Sequence, residues 1–406
     1  MGDRRAVVIG AGITGILSAR ELLLSGWDVV VLDAAHVGAG SSSRTAAGIR
    51  QQFSTPGTVR GMRYCVDFYT RFSEETESGE SPIVQNGYLF LQADDAAMEA
   101  ARARVAMQQS VGLKEVEALD ADALRARFPW VSDELAGATW CPTDGFLRPH
   151  VVYSDGAARV RSLGGELRQR SPVTGARVEG GRITTVTTPL GEVGGDLFID
   201  CTNAWTARVG ALLGASPLEV APLKRYLWFV ARGDAMSGPT LSSMPLTIAP
   251  SGAYCRPENG DTMLMGKKHK TEADSDFTYD DQDFVQPDFS HRAGIDAAPF
   301  SLWMELAEAI PDLADFAGVN ATTAGYYATT PDHNPFLGFD ARRPNLIRAV
   351  GFSGHGAMLG PFTARVVQAL ADAGTNLDEV LIDGEPVELG TFALGRTYDH
   401  SEAMVI

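Results

Sequence analysis

The chain has 406 residues, 45% of them hydrophobic, and its 34 basic and 51 acidic residues give a net charge of −17. This length and apolar content predict two or three folded units and exclude a mostly disordered chain. The negative charge argues against nucleic-acid binding and against docking on anionic membranes, because phosphate groups would be repelled. No apolar run of about 20 residues is present, so we expect a soluble, cytoplasmic protein without a membrane span.

The four cysteines are widely spaced, and none of them forms a C-x-x-C pair. In a chain of this length, that distribution predicts reduced, mostly buried thiols and offers no structural zinc site. Residues 272–288 are rich in aspartate, but their spacing matches no EF-hand loop. We therefore expect a solvated loop there and no metal ion in the protein. The cysteines are Cys65, Cys141, Cys201 and Cys255.

Residues 6–33 predict a strand, a glycine-rich turn, a helix and a second strand. The turn has the pattern G-x-G-x-x-G, and the helix, 13–25, ends before Gly26, a favourable cap. Such glycines let a dinucleotide pyrophosphate approach the backbone, and the helix N-terminus attracts its charge. An acid at the end of the second strand suits ribose hydroxyls and repels a 2′-phosphate, which disfavours NADP and leaves NAD and FAD. The predicted contacts are Gly10, Gly12, Ile13, Thr14, Gly15 and Asp33.

A second glycine-rich turn, 351–356, lies near the other end of the chain. It follows an apolar run, 346–350, and precedes a predicted helix, 357–373. A helix N-terminus here suits negative charge, which in a reduced flavin develops on the pyrimidine edge. His355 lies between two glycines, where backbone and ligand can meet. The residues predicted to lie against the cofactor are Gly351, Gly354, His355, Gly356, Ala357 and Met358.

The remaining chain predicts a mixture of helices and short strands, with a glycine- and serine-rich loop at 34–50 that suits close approach to a ligand. The final 30 residues are expected to be peripheral. The predicted helices are 58–77, 94–110, 149–164 and 300–310. The predicted strands are 84–92, 166–170, 173–179, 182–188, 193–199, 226–231 and 262–265.

Five motifs in this order resemble the D-amino-acid oxidase/sarcosine oxidase superfamily, whose members are FAD enzymes that act on amines and amino acids. The resemblance covers about residues 6–375 and is greatest to the branch of the sarcosine oxidase β-subunit, glycine oxidase and secondary-amine dehydrogenases. The motifs are AVVIGAGITG with Asp33, SSSRTAAGIRQQF, GAYCRPENG, TTPDHNPFLG and GFSGHG.

The resemblance implies an α/β protein with an FAD-binding Rossmann-like domain and a second, sheet-based α+β substrate domain. We place the FAD-binding domain at 1–80, 146–222 and 325–406, and the substrate domain at 81–145 and 223–324.

The resemblance also implies cofactor contacts outside the two glycine-rich turns. Asn203 replaces a glycine that the family usually has in an Ala-Gly-Ala-Trp segment. Relatives with covalent flavin use a cysteine or a histidine at positions that correspond here to Gly325 and Thr45, so we expect FAD to be held without a covalent bond. The further implied contacts are Ser42, Ser43, Arg44, Thr45, Gly48, Val173, Thr202 and Trp205.

On the substrate side, this chain departs from monomeric sarcosine oxidases. Their lysine for the substrate carboxylate corresponds to Met358, and their lysine for dioxygen corresponds to Leu264. Arg50 matches the family arginine near the flavin, and its guanidinium suits bidentate capture of a carboxylate or, alternatively, a structural ion pair. Another candidate is Tyr254, with an ordinary strand tyrosine as the alternative. The basic cluster Lys267, Lys268 and His269 is a candidate as well, with a solvated turn as the alternative. The last candidate is His355.

These observations predict FAD-dependent oxidation of the C–N bond of an amine or amino acid of the secondary-amine, glycine or D-amino-acid type. Hydride would pass to the flavin, and the imine would hydrolyse. Dioxygen or a redox partner would accept the electrons, and an oligomer is possible. One alternative is an NAD-dependent dehydrogenase with the same fingerprint, and another is a catalytically quiet flavoprotein that acts as an assembly or subunit partner.

Overall fold

The computed structural model describes residues 4–233, 238–267 and 299–404. The strands are β1 Arg5–Ile9, β2 Asp28–Leu32, β3 Gly48–Ile49, β4 Ile83–Val84, β5 Tyr88–Gln92, β6 Glu117–Asp120, β7 Gly137–Cys141, β8 Gly145–Leu147, β9 Glu166–Arg168, β10 Gly175–Glu179, β11 Arg182–Thr188, β12 Gly191–Gly194, β13 Leu197–Asp200, β14 Ala221–Arg232, β15 Leu246–Ile248, β16 Ala253–Asn259, β17 Thr262–Lys267, β18 Phe316–Thr329, β19 Phe336–Phe339, β20 Leu346–Val350, β21 Glu379–Ile382 and β22 Glu385–Glu388. The helices are α1 Ile13–Leu24, α2 Pro56–Thr70, α3 Phe72–Thr76, α4 Asp95–Ser110, α5 Ala121–Arg127, α6 Pro149–Ser162, α7 Thr206–Leu213, α8 Gly238–Ser243, α9 Pro299–Ala309 and α10 Gly356–Ala373.

A six-stranded sheet in the order β19-β20-β13-β1-β2-β9 forms the nucleotide-binding half of the molecule. All neighbouring pairs are parallel except β19 with β20. Val8 pairs with Val31 on one side and with Ile199 on the other, and all three are buried. Such continuous apolar strands are typical of a parallel sheet covered on both faces, and α1 packs between α6 and α10. The carboxyl ends of β1, β2 and β13 therefore meet at one edge, where ligands of such sheets bind.

A second sheet of eight strands has the order β18-β14-β17-β16-β15-β5-β7-β6. Its strands alternate between two apolar clusters, because successive side chains of a strand point to opposite faces. Met263 and Met265 of β17 belong to the cluster that includes Trp303 of α9. Leu264, between them, packs with Tyr254 in the other cluster. This second sheet agrees with the predicted sheet-based part of the fold.

Two predicted strands are divided in the structure. The strand predicted at 84–92 breaks into β4 and β5 at Gly87, which has φ +83° and leaves no room for a Cβ beside the Trp140 ring. The strand predicted at 193–199 breaks into β12 and β13, which belong to different sheets. The helix predicted at 58–77 is divided at Arg71 into α2 and α3.

The final 30 residues are not peripheral, and that prediction was wrong. The hairpin of β21 and β22 buries Val380 and Val387 in the main core, and Phe392 is fully buried. The following segment, 396–404, returns to the residues just after Arg50. Alternating apolar residues that pack below α10 explain the burial of the hairpin.

The predicted domain limits stay predictions, although three of them, after residues 145, 222 and 324, fall inside β8, β14 and β18. All four cysteines are free and buried. Among the described helices, none combines the length and apolar character needed to cross a bilayer. The aspartate-rich stretch 272–288 lies outside the described residues.

Candidate active site

The turn between β1 and α1 brings backbone close to backbone. Gly10 has φ +104°, and a Cβ there would lie 2.9 Å from the carbonyl oxygen of Cys201. Gly12 caps α1, and the Ile13 amide donates to Ser42 Oγ at 3.1 Å. The first turn of a helix carries N–H groups without a helical acceptor, so this turn can hold a diphosphate.

Asp33 stands at the carboxyl end of β2 and is fixed by two backbone hydrogen bonds. Its oxygens accept from the amides of Ala11 at 2.7 Å and Ala35 at 2.8 Å. Burial raises the pKa of Asp33, and the two hydrogen bonds oppose that rise. The side chain is therefore held rigidly at the edge of the sheet, where the ribose of a dinucleotide is expected.

A cavity of about 420 Å³ runs along this edge, within the usual range of ligand pockets of about 300–1,000 Å³. Its lining comes from both glycine-rich turns and from the loops after β2, β9 and β13. The predicted cofactor residues that line it are Gly10, Gly12, Ile13, Thr14, Asp33, Ser42, Arg44, Thr45, Val173, Thr202, Trp205, Gly354, Gly356 and Ala357.

Three predicted cofactor residues lie beside this cavity instead of lining it. Gly15 packs against the backbone of Gly10, which is the close-packing role of the third glycine. Ser43 Oγ donates to the carbonyl of Gly40 at 3.4 Å, and the Gly351 amide donates to Asn203. Lining residues that sequence reasoning did not single out include Ser41, Ser171 and Arg208.

Asn203, the departure from the family glycine, joins the two halves of the cavity wall. It has φ +50°, a conformation that asparagine tolerates better than most residues. Its Oδ1 accepts from the amides of Gly351 at 3.0 Å and Phe352 at 3.3 Å. The side chain thus ties the segment after β13 to the second glycine-rich turn.

A buried ion-pair network lies beneath the same wall. Arg348 of β20 contacts Asp200 at 2.9 Å and Asp340 at 3.4 Å, and the three side chains are at most 1% exposed. Asp200 also accepts from the amide and hydroxyl of Thr202 and from the hydroxyl of Thr206. The network therefore fixes the cavity wall at Thr202. The sequence carries a signal for it, because charged residues interrupt two apolar strands.

A smaller cavity of about 40 Å³ adjoins the first. The two cavities share Thr45, Tyr327, Gly354 and Ala357. The small cavity gathers five further predicted residues from distant parts of the chain. These are Gly48, Arg50, Tyr254, His355 and Met358.

Arg50 is fully buried at this cavity. Its Nη1 donates to the carbonyl of Gln52 at 2.6 Å, and its guanidinium lies 4.1 Å from the Phe53 ring centroid. Its Nη2 donates to the carbonyl of Met404 and lies 3.4 Å from His355 Nε2. Its Nε is buried without a hydrogen-bond partner, and no carboxylate of a described residue pairs with it. The alternative of a structural ion pair therefore has no partner in the described part of the chain.

The family described as FAD dependent oxidoreductase (DAO) matches residues 5–370 of the chain. The chain belongs to the DAO family. It is an FAD-dependent oxidoreductase. The predicted resemblance is confirmed, and the alternatives of an NAD-dependent dehydrogenase and of a catalytically quiet flavoprotein were wrong.

Individual relatives agree in sequence and in fold. Glycine oxidase of Pseudomonas aeruginosa is 26% identical to this chain, over 95% of this chain and 98% of the relative. FAD-dependent oxidoreductase domain-containing protein 1 of Xenopus laevis is 27% identical, over 96% of this chain and 82% of the relative. The crystal structure of L-proline dehydrogenase from P. horikoshii is 27% identical, with a TM-score of 0.80 over 92% of this chain and 94% of that one. The predicted two-part α/β fold is confirmed.

Three tyrosines of this DAO-family enzyme surround the small cavity: Tyr88, Tyr254 and Tyr327. Burial raises the pKa of each phenol, and the positive charge of Arg50 partly opposes the rise at Tyr88 and Tyr327. The tyrosines are therefore neutral hydroxyls at physiological pH. Tyr254 points its hydroxyl across Gly266, where a Cβ would collide with it.

The predicted basic cluster is only partly described. Both carboxylate oxygens of Glu305 on α9 lie 2.7 Å from Lys267 Nζ. This ion pair lies on the sheet face opposite Tyr254, because Lys267 follows Gly266 in β17. Lys268 and His269 lie outside the described residues.

Asp144, which the sequence analysis did not single out, holds the segment after Arg50. Its fully buried carboxylate accepts from the Gln51 amide at 2.9 Å, from Gln51 Nε2 at 3.0 Å and from Gln52 Nε2 at 3.2 Å. Burial raises the pKa of Asp144 to about 6, although the hydrogen bonds from Gln51 and Gln52 lower it. The carboxylate thereby fixes the backbone from which Arg50 reaches the small cavity.

Asp144→Asn should change how stability depends on pH. The folded pKa of about 6 lies above the ordinary value of 3.8, so the contribution of Asp144 is full below pH 3.8 and is lost as pH rises through 6. Relative to the variant, the native protein should lose about 3 kcal/mol over that interval, at about 1.4 kcal/mol per pKa unit. Urea unfolding at a series of pH values measures this. The exposed Asp133→Asn is the control, and parallel curves for Asp144→Asn and the native protein would contradict the prediction.

Gly10→Ala should lower the free energy of unfolding by about 1–3 kcal/mol, because the added Cβ brings backbone strain and a steric contact. The FAD content of the purified protein should fall with it. The matched control is Gly180→Ala, at φ +55° with no atom within 4 Å of the added Cβ. The ratio of flavin to protein absorbance after purification, together with thermal unfolding, measures the effect. Full flavin content in Gly10→Ala would show that the close approach to Cys201 is unimportant.

Proposed function

We propose that this enzyme oxidises the C–N bond of a small amino acid whose carboxylate is held by Arg50. The observation that carries the proposal is a buried guanidinium with an unpartnered Nε at a small cavity that adjoins the cofactor cavity. Burying a charge without a counter-charge is unfavourable, so this arrangement favours an anionic ligand. Secondary amino acids, glycine and D-amino acids all carry such a carboxylate.

The chain's contribution is orientation and exclusion of water. FAD, when bound, supplies the acceptor for the hydride of the substrate α-carbon. Arg50 would fix one end of the substrate, and the walls at Thr45 and Gly354, shared by both cavities, would direct the α-carbon toward the cofactor. The neutral hydroxyl of Tyr254 can accept a hydrogen bond from the substrate amine. No acid–base residue is required if the amine enters deprotonated, and water then hydrolyses the released imine.

We also propose that FAD is held without a covalent bond. The positions where covalent relatives carry a cysteine or a histidine hold Gly325 and Thr45, and neither side chain can attach to the flavin ring in that way. Acid precipitation of the holoenzyme should release all of the yellow colour into the supernatant. Colour that stays with the pellet would contradict this. The cytoplasmic location and the electron acceptor stay predictions.

Anaerobic mixing of the holoenzyme with candidate substrates tests the function. N-methyl amino acids, D-amino acids, glycine and cyclic imino acids form the panel, and loss of the flavin absorbance reports reduction. We expect at least one acid to bleach the flavin and its amide to do so far more weakly. Equal bleaching by acid and amide would remove the carboxylate from the proposal.

A further inference from the structure

The segment 396–404, here called the tail, crosses the molecule to reach Arg50. Arg396 starts it with a buried ion pair to Asp332 at 2.7 Å. The carbonyl of His400 accepts from Asn334 Nδ2 at 2.9 Å. The tail is therefore held at its near end on the loop that follows β18.

Glu402, 1% exposed, fixes the tail beside Arg50. Its carboxylate accepts from the amide and the hydroxyl of Ser54, at 2.9 and 2.6 Å, and from the hydroxyl of Thr55 at 3.2 Å. The amide of Glu402 donates to the Asp332 carbonyl, and the amide of Ala403 donates to Ser54 Oγ, both at 2.9 Å. These amides are protected only while the tail is in place.

Met404 is the last described residue of the tail and lies beside Arg50. Its side chain packs on the apolar cluster that contains Tyr88 and Tyr254. Its carbonyl oxygen accepts a hydrogen bond from Arg50 Nη2. The tail thus makes direct contact with the guanidinium to which the proposed function assigns the substrate carboxylate.

The contact uses only half of the guanidinium edge that recognises carboxylates. The Nε–H and one Nη2–H of an arginine point the same way and bind the two oxygens of a carboxylate together. In Arg50, Nη2 donates to the carbonyl of Met404 and also lies 3.4 Å from His355 Nε2, whereas Nε is buried without a hydrogen-bond partner. A carbonyl satisfies one donor, whereas a carboxylate would satisfy both.

We propose that the Met404 carbonyl holds the place of the substrate carboxylate, and that residues 402–404 are a gate that the carboxylate displaces. The proposal rests on the proposed role of Arg50. With the tail in place, the small cavity of about 40 Å³ has room for about three water molecules, and an amino acid needs more. Ligand binding then has to release the tail. The apparent affinity is therefore the intrinsic affinity multiplied by the fraction of molecules in which the tail is open.

Hydrogen exchange of the holoenzyme tests the gate directly. Benzoate serves as the carboxylate probe, and benzamide serves as its neutral counterpart. Saturating benzoate should speed deuterium uptake at the amides of residues 402–404, and benzamide should leave it unchanged. Protection that stays the same or increases with benzoate bound would overturn the gate.

Glu402→Gln provides the second measurement, because the amide cannot accept all the hydrogen bonds of the carboxylate. Benzoate binding, followed by the flavin spectrum, should tighten on the order of tenfold if the closed tail holds about nine-tenths of the molecules. Asp399→Asn, an exposed change of the same charge in the tail, should bind benzoate like the native protein. Met404→Ala removes the apolar packing of the tail and should also tighten benzoate binding. It takes the place of Glu402→Gln if that variant does not fold.

The outcomes separate the gate from the function. Benzoate binding that is equal in the native protein, Glu402→Gln and Met404→Ala would overturn the gate and leave the role of Arg50 intact. Benzoate that binds no better than benzamide to any of these proteins would overturn the role of Arg50 itself, and the gate with it.

Discussion

Arg50→Ala should weaken the binding of a carboxylate-bearing substrate roughly 30-fold or more, which corresponds to about 2 kcal/mol or more. The physical reason is that the ligand's charge would enter a buried cavity whose described lining holds no other arginine or lysine. Stopped-flow reduction of the flavin, at a series of substrate concentrations, gives the apparent dissociation constant. The rate at saturation should change less than the affinity, because Arg50 binds the end of the substrate away from the reacting carbon.

The control for this variant is chemical. The amide of the same amino acid should bind the native protein and Arg50→Ala about equally, since it has no charge for Arg50 to recognise. Arg50→Lys should recover part of the affinity, because an ammonium keeps the charge but not the fork of two N–H groups. An unchanged affinity of the acid for Arg50→Ala, in a variant with normal flavin content, would remove Arg50 from the substrate site.

Arg348→Ala should lower the free energy of unfolding by about 3–5 kcal/mol, the range for breaking a buried ion pair on one side. The variant leaves the carboxylates of Asp200 and Asp340 buried without their cation. Urea unfolding of the two proteins measures the loss. Flavin content should fall as well, because Asp200 fixes Thr202 in the wall of the cofactor cavity.

The neighbouring Arg342→Ala is the matched control for Arg348→Ala. Arg342 is exposed, and surface substitutions of this kind usually change stability by less than about 0.5 kcal/mol. A loss below about 1 kcal/mol in Arg348→Ala would mean that the network contributes little beyond its packing.

The parts of the cofactor site that lie close together in the sequence could be predicted from the sequence. The turn at Gly10 and the acid at Asp33 lie within one strand–helix–strand unit, so spacing alone predicts their shared edge. The second glycine-rich turn, 351–356, was predicted in the same way, from its place between a strand and a helix. The predicted strands 84–92 and 193–199 are each divided by a backbone turn. Such a turn is required only because the two halves join different sheets, and the local sequence does not show this.

The substrate side was less accessible to sequence reasoning. The contact between Arg50 and Met404 joins residues 354 positions apart, and nothing near either residue indicates the other. Asp144 likewise meets Gln51 from 93 positions away. The Arg348 network had a detectable sign, a charge within an apolar strand, but its partners are defined only by the order of the strands in the sheet.

The burial of Cys65, Cys141, Cys201 and Cys255 has a practical consequence for an enzyme that handles oxidants. Burial raises the pKa of every one of these thiols, so the reactive thiolate is scarce. Hydrogen peroxide, which would form if dioxygen is the acceptor, therefore meets thiols that stay protonated, including Cys201 in the wall of the cofactor cavity. The purified protein should withstand storage in air and alkylating reagents without added reductant.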